Sequence, residues 1–108
     1  MITIDDFFKV EIKVGKVLEA VNKEGSSKLI RLTVDVGEEN SRVIFTAVRE
    51  FGFTPEDFAD KKFLFVTNLE PKKIMDEESA GMALAVDSED GEPKFISVDD
   101  LPVGATIR

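Results

Sequence analysis

The chain has 108 residues, a formal net charge of −8 from 14 Lys plus Arg against 22 Asp plus Glu, and neither Cys nor His. This length predicts one domain, and the missing side chains exclude disulfides, thiolate zinc sites and Ser–His or Cys–His catalysis. We expect no catalytic residues, no metal and no cofactor. The negative charge argues against nonspecific coating of nucleic acid, although a local basic patch can still act because salt screens charges beyond about 8–10 Å. No stretch reads as a signal peptide or membrane span, so we expect a cytoplasmic protein without a membrane partner.

The first half of the chain alternates apolar and polar residues with the period of β-strands. Residues 3–8 predict one capped helical turn before the first strand. Three strands are then predicted, over residues 10–20, 28–36 and 42–48. Gly15 in the first strand suggests a bulge that lets the strand curl. Polar turns rich in Gly, Ser and Asn separate the three strands.

The second half continues with a short helix and two more strands. Thr54 fits a helix N-cap, with Pro55 at the first helical position and acidic residues after it. Residues 63–68 are apolar on both faces and predict a central fourth strand, and residues 82–86 predict a fifth. A turn at 87–91, a helical turn at 97–100 and a final strand over residues 105–108 are predicted after it. Five strands with one short helix between strands 3 and 4 predict an all-β fold, a five-stranded OB barrel with extra terminal segments.

The loop between the fourth and fifth strands contains the most distinctive residues. Pro71 disfavours helix at the residue before it, so the strand should end there and Lys72 and Lys73 should project into solvent. Two ammonium groups on a fixed turn are a plausible phosphate site, although exposed lysines most often have no function. Ser79, at the other end of the loop, can stabilise its turn or donate to a phosphate or sugar.

Ordered stretches over nearly the whole chain have a common pattern: FKVEIKVG at 8–15, EGSSKL at 24–29, LTVDVG at 32–37, the loop at 68–82 and the tail at 94–108. They resemble the tRNA-binding domain family, found as the C-terminal domain or beta subunit of methionyl-tRNA synthetases and as stand-alone tRNA-binding proteins. The resemblance implies a non-catalytic module that binds folded tRNA by shape and backbone contacts. The chain would be a stand-alone protein, a subunit partnering the methionyl-tRNA synthetase catalytic subunit, or an excised domain.

The tail is similar to the dimer-forming tail of that family, which implies a homodimer. Residues 1–9 and 93–108 are expected to form the interface, because the Phe7–Phe8 pair is too apolar to be left in water. An alternative is a secretion-chaperone-like dimer of the same fold that binds polypeptides.

The resemblance places a set of residues on the RNA side, and Arg31 joins them because it projects from the second strand opposite apolar residues. The full set is Lys28, Arg31, Arg42, Asn68, Lys72, Lys73, Ser79 and Met82. All nine aromatic residues are Phe, mostly at core positions such as Phe45, which disfavours a reader of single strands by base stacking. The acidic spacer at 76–78 is expected to attract the two loop lysines and to compete with phosphate.

Overall fold

A computed structural model describes residues 1–108. It contains one α-helical turn, two 3₁₀ turns at Arg49–Phe51 and Pro55–Asp57, and nine strands. The elements are α1 (Ile4–Phe7), β1 (Ile12–Asn22), β2 (Ile30–Asp35), β3 (Arg42–Thr46), β4 (Lys62–Val66), β5 (Lys72–Ile74), β6 (Glu77–Ser79), β7 (Met82–Ala83), β8 (Ala85–Asp87) and β9 (Pro93–Phe95). None of the helices has the length and apolarity that crossing a membrane would require.

Five strands form an antiparallel sheet in the order β3-β2-β1-β4-β7 that curls into a nearly closed barrel. β1 is long enough to serve two partners, pairing with β4 through its first half and with β2 through its second. The register shifts between Val17 and Glu19, so the bulge lies beyond the predicted Gly15. Gly15 instead permits close packing, because a Cβ there would lie 2.7 Å from the Phe65 ring and from Val34. The predicted OB-like barrel is confirmed.

The barrel core consists of apolar residues from β1 to β4 and the 3₁₀ region. The β2 pattern alternates buried and half-buried residues, as its sequence predicts. Phe58, 1 % exposed, belongs to this core and packs against the rings of Phe53, Phe63 and Phe95. The predicted helix between strands 3 and 4 is a single 3₁₀ turn, with the capping box of Thr54 and Asp57 in place.

Two regions differ from the predicted elements. The loop at 68–81 contains a hairpin, β5 and β6, and the predicted fifth strand is divided into β7, which pairs with β4, and β8, which pairs with β9. The C-terminal tail forms one isolated bridge, Lys13 to Thr106, instead of a strand. Its backbone nevertheless follows β1, where the Gly104 amide donates to the Val14 carbonyl at 2.8 Å.

Candidate nucleic-acid interface

The β5–β6 hairpin lies across the outer face of β2 and β3. Arg31 of β2 and Phe45 of β3 are cross-strand partners, so both side chains project from the same face. Their neighbours in sequence, Ile30 and Ile44, belong to the barrel core and occupy the opposite face. Phe45 is nevertheless only 7 % exposed. Its burial beneath the hairpin corrects the expectation that it lies in the barrel core.

The hairpin tip is held to the barrel by ion pairs. The Lys23 ammonium lies 2.7 Å from an Asp76 oxygen and 2.9 Å from a Glu77 oxygen. Arg31 Nε donates to both Glu77 oxygens at 3.1 Å, and its Nη2 lies 3.0 Å from Oε2. Hydrogen bonds from Arg31 and then Lys23 lower the pKa of Glu77, and Asp76 and then Glu77 raise the pKa of Lys23. The structure therefore favours the charged forms of Glu77 and Lys23.

For Asp76 and Glu77, these contacts contradict the expectation that the acidic spacer attracts Lys72 and Lys73. Successive side chains of a strand point to opposite faces. Glu77 is half-buried against the barrel, whereas Glu78 is exposed and faces Lys73 across the hairpin. Glu77 thus meets Lys23 and Arg31, Asp76 in the exposed turn meets Lys23, and neither loop lysine forms a salt bridge. Lys23 gave no signal in the sequence because it lies in an ordinary polar turn.

Lys72 and Lys73 are both exposed, as expected from the sequence. The register places Lys72 beside Ser79 and Lys73 beside Glu78, so the two side chains point to opposite faces of the hairpin. Lys72 borders a groove of about 450 Å³, and Lys73 points away from the barrel. The hairpin thus presents one ammonium group on each side.

The groove lies between the hairpin and the barrel. Its wall is mostly apolar, and Met82 and Leu69 are each 47 % exposed. It brings together three of the predicted site residues, Lys72, Ser79 and Met82. Its full lining is Phe45, Leu69, Glu70, Lys72, Ile74, Ser79, Gly81 and Met82.

The residues around Ser79 close the barrel against β3, and we call this contact the barrel seam (residues 79–82 with β3). The Ala80 amide donates to the Val43 carbonyl at 2.8 Å. Ser79 is 6 % exposed, and its hydroxyl accepts from the Phe45 amide at 3.0 Å. Gly81 has φ of +149°, and a Cβ there would lie 2.8 Å from the Val66 carbonyl oxygen. The Ser-Ala-Gly sequence is therefore explained by closure of the barrel.

Arg42 also acts at the seam. Its Nη1 donates to the carbonyl oxygens of Thr67 and Ala80, and its Nε and Nη2 each lie 2.7 Å from an oxygen of Glu38. The hydrogen bonds from Arg42 lower the pKa of Glu38. With 22 % of its side chain exposed, Arg42 bridges strands that the backbone ladder does not join.

Two other predicted site residues lie apart from the groove. Asn68 accepts from the Glu11 amide at 2.8 Å and donates to the Lys9 carbonyl at 2.6 Å, which ties the N-terminal segment to the end of β4. Lys28 lies in the β1–β2 loop with 63 % of its side chain exposed, 4.0 Å from Glu50. Of these two residues, only Lys28 has a polar end that is exposed to solvent.

A second apolar surface lies away from the hairpin. Val86 and Ile96 are each 53 % exposed. With Leu64, Leu84 and Ala85 they line a cavity of about 220 Å³ formed only by hydrophobic residues. Phe8, at the other end of the chain, is 50 % exposed and packs edge-on against Phe7 with ring centroids 5.5 Å apart.

Comparison with known proteins identifies the family to which this architecture belongs. A family model described as a putative tRNA binding domain matches residues 12–106. Methionine–tRNA ligase of Methanococcus aeolicus is 44 % identical over 108 residues, in a match that covers 99 % of this chain and 16 % of that enzyme. The chain therefore spans about a sixth of that relative's length.

Solved structures agree over the whole chain. The MetRS related protein from Pyrococcus horikoshii superposes with a TM-score of 0.93 at 39 % identity, covering 100 % of this chain and 98 % of that one. The chaperone CsaA of Bacillus anthracis superposes with a TM-score of 0.86 at 26 % identity, covering 100 % and 99 %. With a family model matched from residue 12 to residue 106, the chain belongs to the tRNA-binding domain family.

Proposed function

We propose that this chain is a non-catalytic module that binds folded tRNA through backbone contacts at the β5–β6 hairpin. The observation behind the proposal is the pair Lys72 and Lys73, exposed and without salt bridges on a chain of net charge −8. Ammonium groups on such an acidic surface are the natural contacts for phosphate, which dominates the affinity of proteins for nucleic acids. Membership of the tRNA-binding domain family supports tRNA as that nucleic acid.

The other predicted residues divide into contacts and supports. Met82 offers an exposed apolar side chain to a ribose or base at the groove, and Lys28 offers a second phosphate contact on the β1–β2 loop. Ser79, Arg42 and Asn68 have their polar groups engaged within the protein, so they hold the surface in shape. Arg31 belongs to neither group alone, since it faces the proposed RNA side but forms an ion pair with Glu77.

A homodimer fits the exposed apolar surfaces at both chain ends. The cavity lined by Val86 and Ile96 and the Phe7–Phe8 pair are the parts that a partner copy would cover. Two copies present two hairpins to one RNA, which raises affinity through effective concentration. Association with, or inclusion in, a methionyl-tRNA synthetase would act in the same way by bringing tRNA to a catalytic site.

The dimer has a direct test. Ile96→Asp places a charge in the middle of the proposed interface, and sedimentation equilibrium should then show a monomer where the unmodified chain is a dimer. Glu89→Lys, at an exposed position of the β8–β9 turn, is a control that should leave the dimer intact. If the unmodified chain is a monomer at high micromolar concentration, the dimer is removed from the proposal.

Polypeptide binding is the second candidate function. The specific observations for it are the groove, whose wall includes Phe45, Leu69, Ile74 and Met82, and the overall similarity to the chaperone CsaA. An extended apolar peptide would bury its side chains there. The acidic surface would then favour basic, unfolded segments.

A binding titration separates the two functions. Bulk tRNA, an equal mass of poly(U) and a reduced, unfolded polypeptide are titrated at low and at physiological salt. The proposed function requires tRNA to bind more tightly than poly(U), with an affinity that falls as salt rises. Binding of the polypeptide without tRNA binding would assign the groove to peptides instead.

A further inference from the structure

Asp76 and Glu77, which we call the acidic tip of the hairpin, form ion pairs with two cationic side chains on the face proposed for RNA, Lys23 and Arg31. Lys23 has 11 % of its side chain exposed, and Arg31 has 29 %. Both lie beside Phe45, with the Lys23 ammonium 5.7 Å from the ring centroid and Arg31 directly across the strand pair. A cationic and aromatic surface is thus present beneath the hairpin but is covered by it.

The geometry at Arg31 matches that of phosphate recognition. The guanidinium directs Nε and Nη2 at the two oxygens of Glu77, at 3.1 and 3.0 Å. This two-point arrangement is the one with which arginine also binds phosphate oxygens. A phosphate group and the Glu77 carboxylate therefore compete for the same donors.

The hairpin itself is a small element. β5 and β6 have three residues each, and Met75 at the turn has φ of +57°, which is uncommon for a residue with a side chain. Such a two-stranded hairpin is marginally stable alone in water, so its position depends on the contacts with the barrel. The ion pairs of the acidic tip and the contact of Met75 with the turn at Gly25 provide those contacts at the far end.

We propose that the acidic tip is an autoinhibitory contact: Asp76 and Glu77 occupy Lys23 and Arg31 until RNA phosphate displaces them, after which Lys23, Arg31 and Phe45 join the RNA-binding surface. This inference rests on the proposed tRNA-binding function and extends it. The hairpin end at Ser79 stays fixed by the barrel seam, while the tip moves. Affinity for RNA is then limited by the internal competitor as well as by the net charge.

The test compares Glu77→Gln with Glu78→Gln, which removes the same charge from the same strand. Glu78 is exposed on the opposite face and makes no ion pair with Lys23 or Arg31. Glu77→Gln should tighten tRNA binding by roughly two- to fivefold more than the control, the factor expected for loss of ion pairs that are only partly shielded from solvent. Its log–log salt slope should also steepen by about 0.7–0.9, since Arg31 becomes available to one more phosphate.

Two further measurements make the test independent of a folding defect. The advantage of Glu77→Gln should disappear when Arg31→Gln and Lys23→Gln are also present, because no hidden cation is then left to release. Without RNA, amide hydrogen exchange over residues 74–77 should be faster in Glu77→Gln than in the Glu78→Gln control, while exchange in β1 to β4 stays unchanged.

The outcomes separate this inference from the proposed function. If tRNA binds the unmodified chain through Lys72 and Lys73 but Glu77→Gln gives no gain over Glu78→Gln, the autoinhibitory contact is refuted and the proposed function stands. If neither the unmodified chain nor Glu77→Gln binds tRNA, both are refuted. Weaker binding by Glu77→Gln would show that the docked tip, rather than the free one, is the binding-competent form.

Discussion

The barrel seam and the hairpin arise from one stretch of the chain, residues 68–82, but the structure uses them in different ways. At the seam, Ser79 is buried and Gly81 fits where a side chain would strike the backbone of β4. On the hairpin, Lys72 and Lys73 contact nothing that requires their charge. Residues that look equally characteristic of a nucleic-acid-binding motif thus divide into those needed for the fold and those free to bind. The following changes test that division.

Gly81→Ala should produce the largest effect, on stability. Its added Cβ would meet the Val66 carbonyl oxygen at 2.8 Å and Ile44 at 2.9 Å, with an unfavourable backbone angle besides. We expect a loss of about 3 kcal/mol in the free energy of unfolding, measured by urea denaturation.

Gly91→Ala is the matched control for that change. Gly91 also has a positive φ, +80°, but has open space around its Cβ position. The cost should therefore be limited to the backbone term of about 1 kcal/mol. Equal losses for the two variants would mean that the seam is not tightly packed at Gly81.

Changing Lys72 and Lys73 to Glu should weaken tRNA binding and leave the stability of the fold nearly unchanged. Because both side chains are exposed, the melting temperature should hardly move, with each substitution within about ±0.5 kcal/mol. Affinity for tRNA should fall by more than about tenfold, since two phosphate contacts become repulsions.

Lys61→Glu, compared with Lys73→Glu alone, controls for the change in net charge. Lys61 is exposed and borders a different depression, beside Phe58 and Phe95. It should weaken tRNA binding only slightly at physiological salt, where distant charges are screened. A loss as large as that of Lys73→Glu would mean that overall charge, and not the hairpin, controls binding.

The contrast between seam and hairpin also marks what the sequence could predict. The β2 strand and the Thr54 cap were predicted correctly because alternation and capping are local patterns. The hairpin was missed because its strands have three residues each and its turn has Met75 in place of the usual Gly or Asn.

The roles of single polar residues were beyond local patterns. The partners of Asn68 lie 57 and 59 residues away in sequence, and those of Arg42 include carbonyls 25 and 38 residues away. Likewise, nothing in the sequence indicated that the acidic spacer would pair with Lys23 and Arg31 instead of its neighbouring lysines. Such assignments depend on the closed barrel, which brings these segments together.

Arg42→Gln examines a residue that the resemblance placed on the RNA side and the structure places at the seam. Removing its hydrogen bonds to the Thr67 and Ala80 carbonyls should cost about 1–3 kcal/mol of stability, because those acceptors lose their charged donor. Affinity for tRNA, measured at a temperature where the variant remains folded, should change by less than about threefold. A tenfold loss of affinity with stability unchanged would make Arg42 a direct contact.

Glu38→Gln should give the smallest effect, visible in the dependence of stability on pH. Hydrogen bonding to Arg42 lowers the pKa of Glu38 in the folded protein. A carboxylate with a lowered folded pKa adds stability at pH values above its unfolded pKa, near 4.3, and that contribution is lost as the pH falls through the folded value. Glu38→Gln should therefore be slightly less stable than the unmodified chain at pH 7, and the difference should shrink as the pH falls below the unfolded pKa towards the lower folded one. Urea denaturation at pH 7, 5 and 3.5 measures this difference, with Glu39→Gln, an exposed neighbour without a salt bridge, as control. A difference that stays constant from pH 7 to pH 3.5 would show that the Glu38 charge does not support the seam through Arg42.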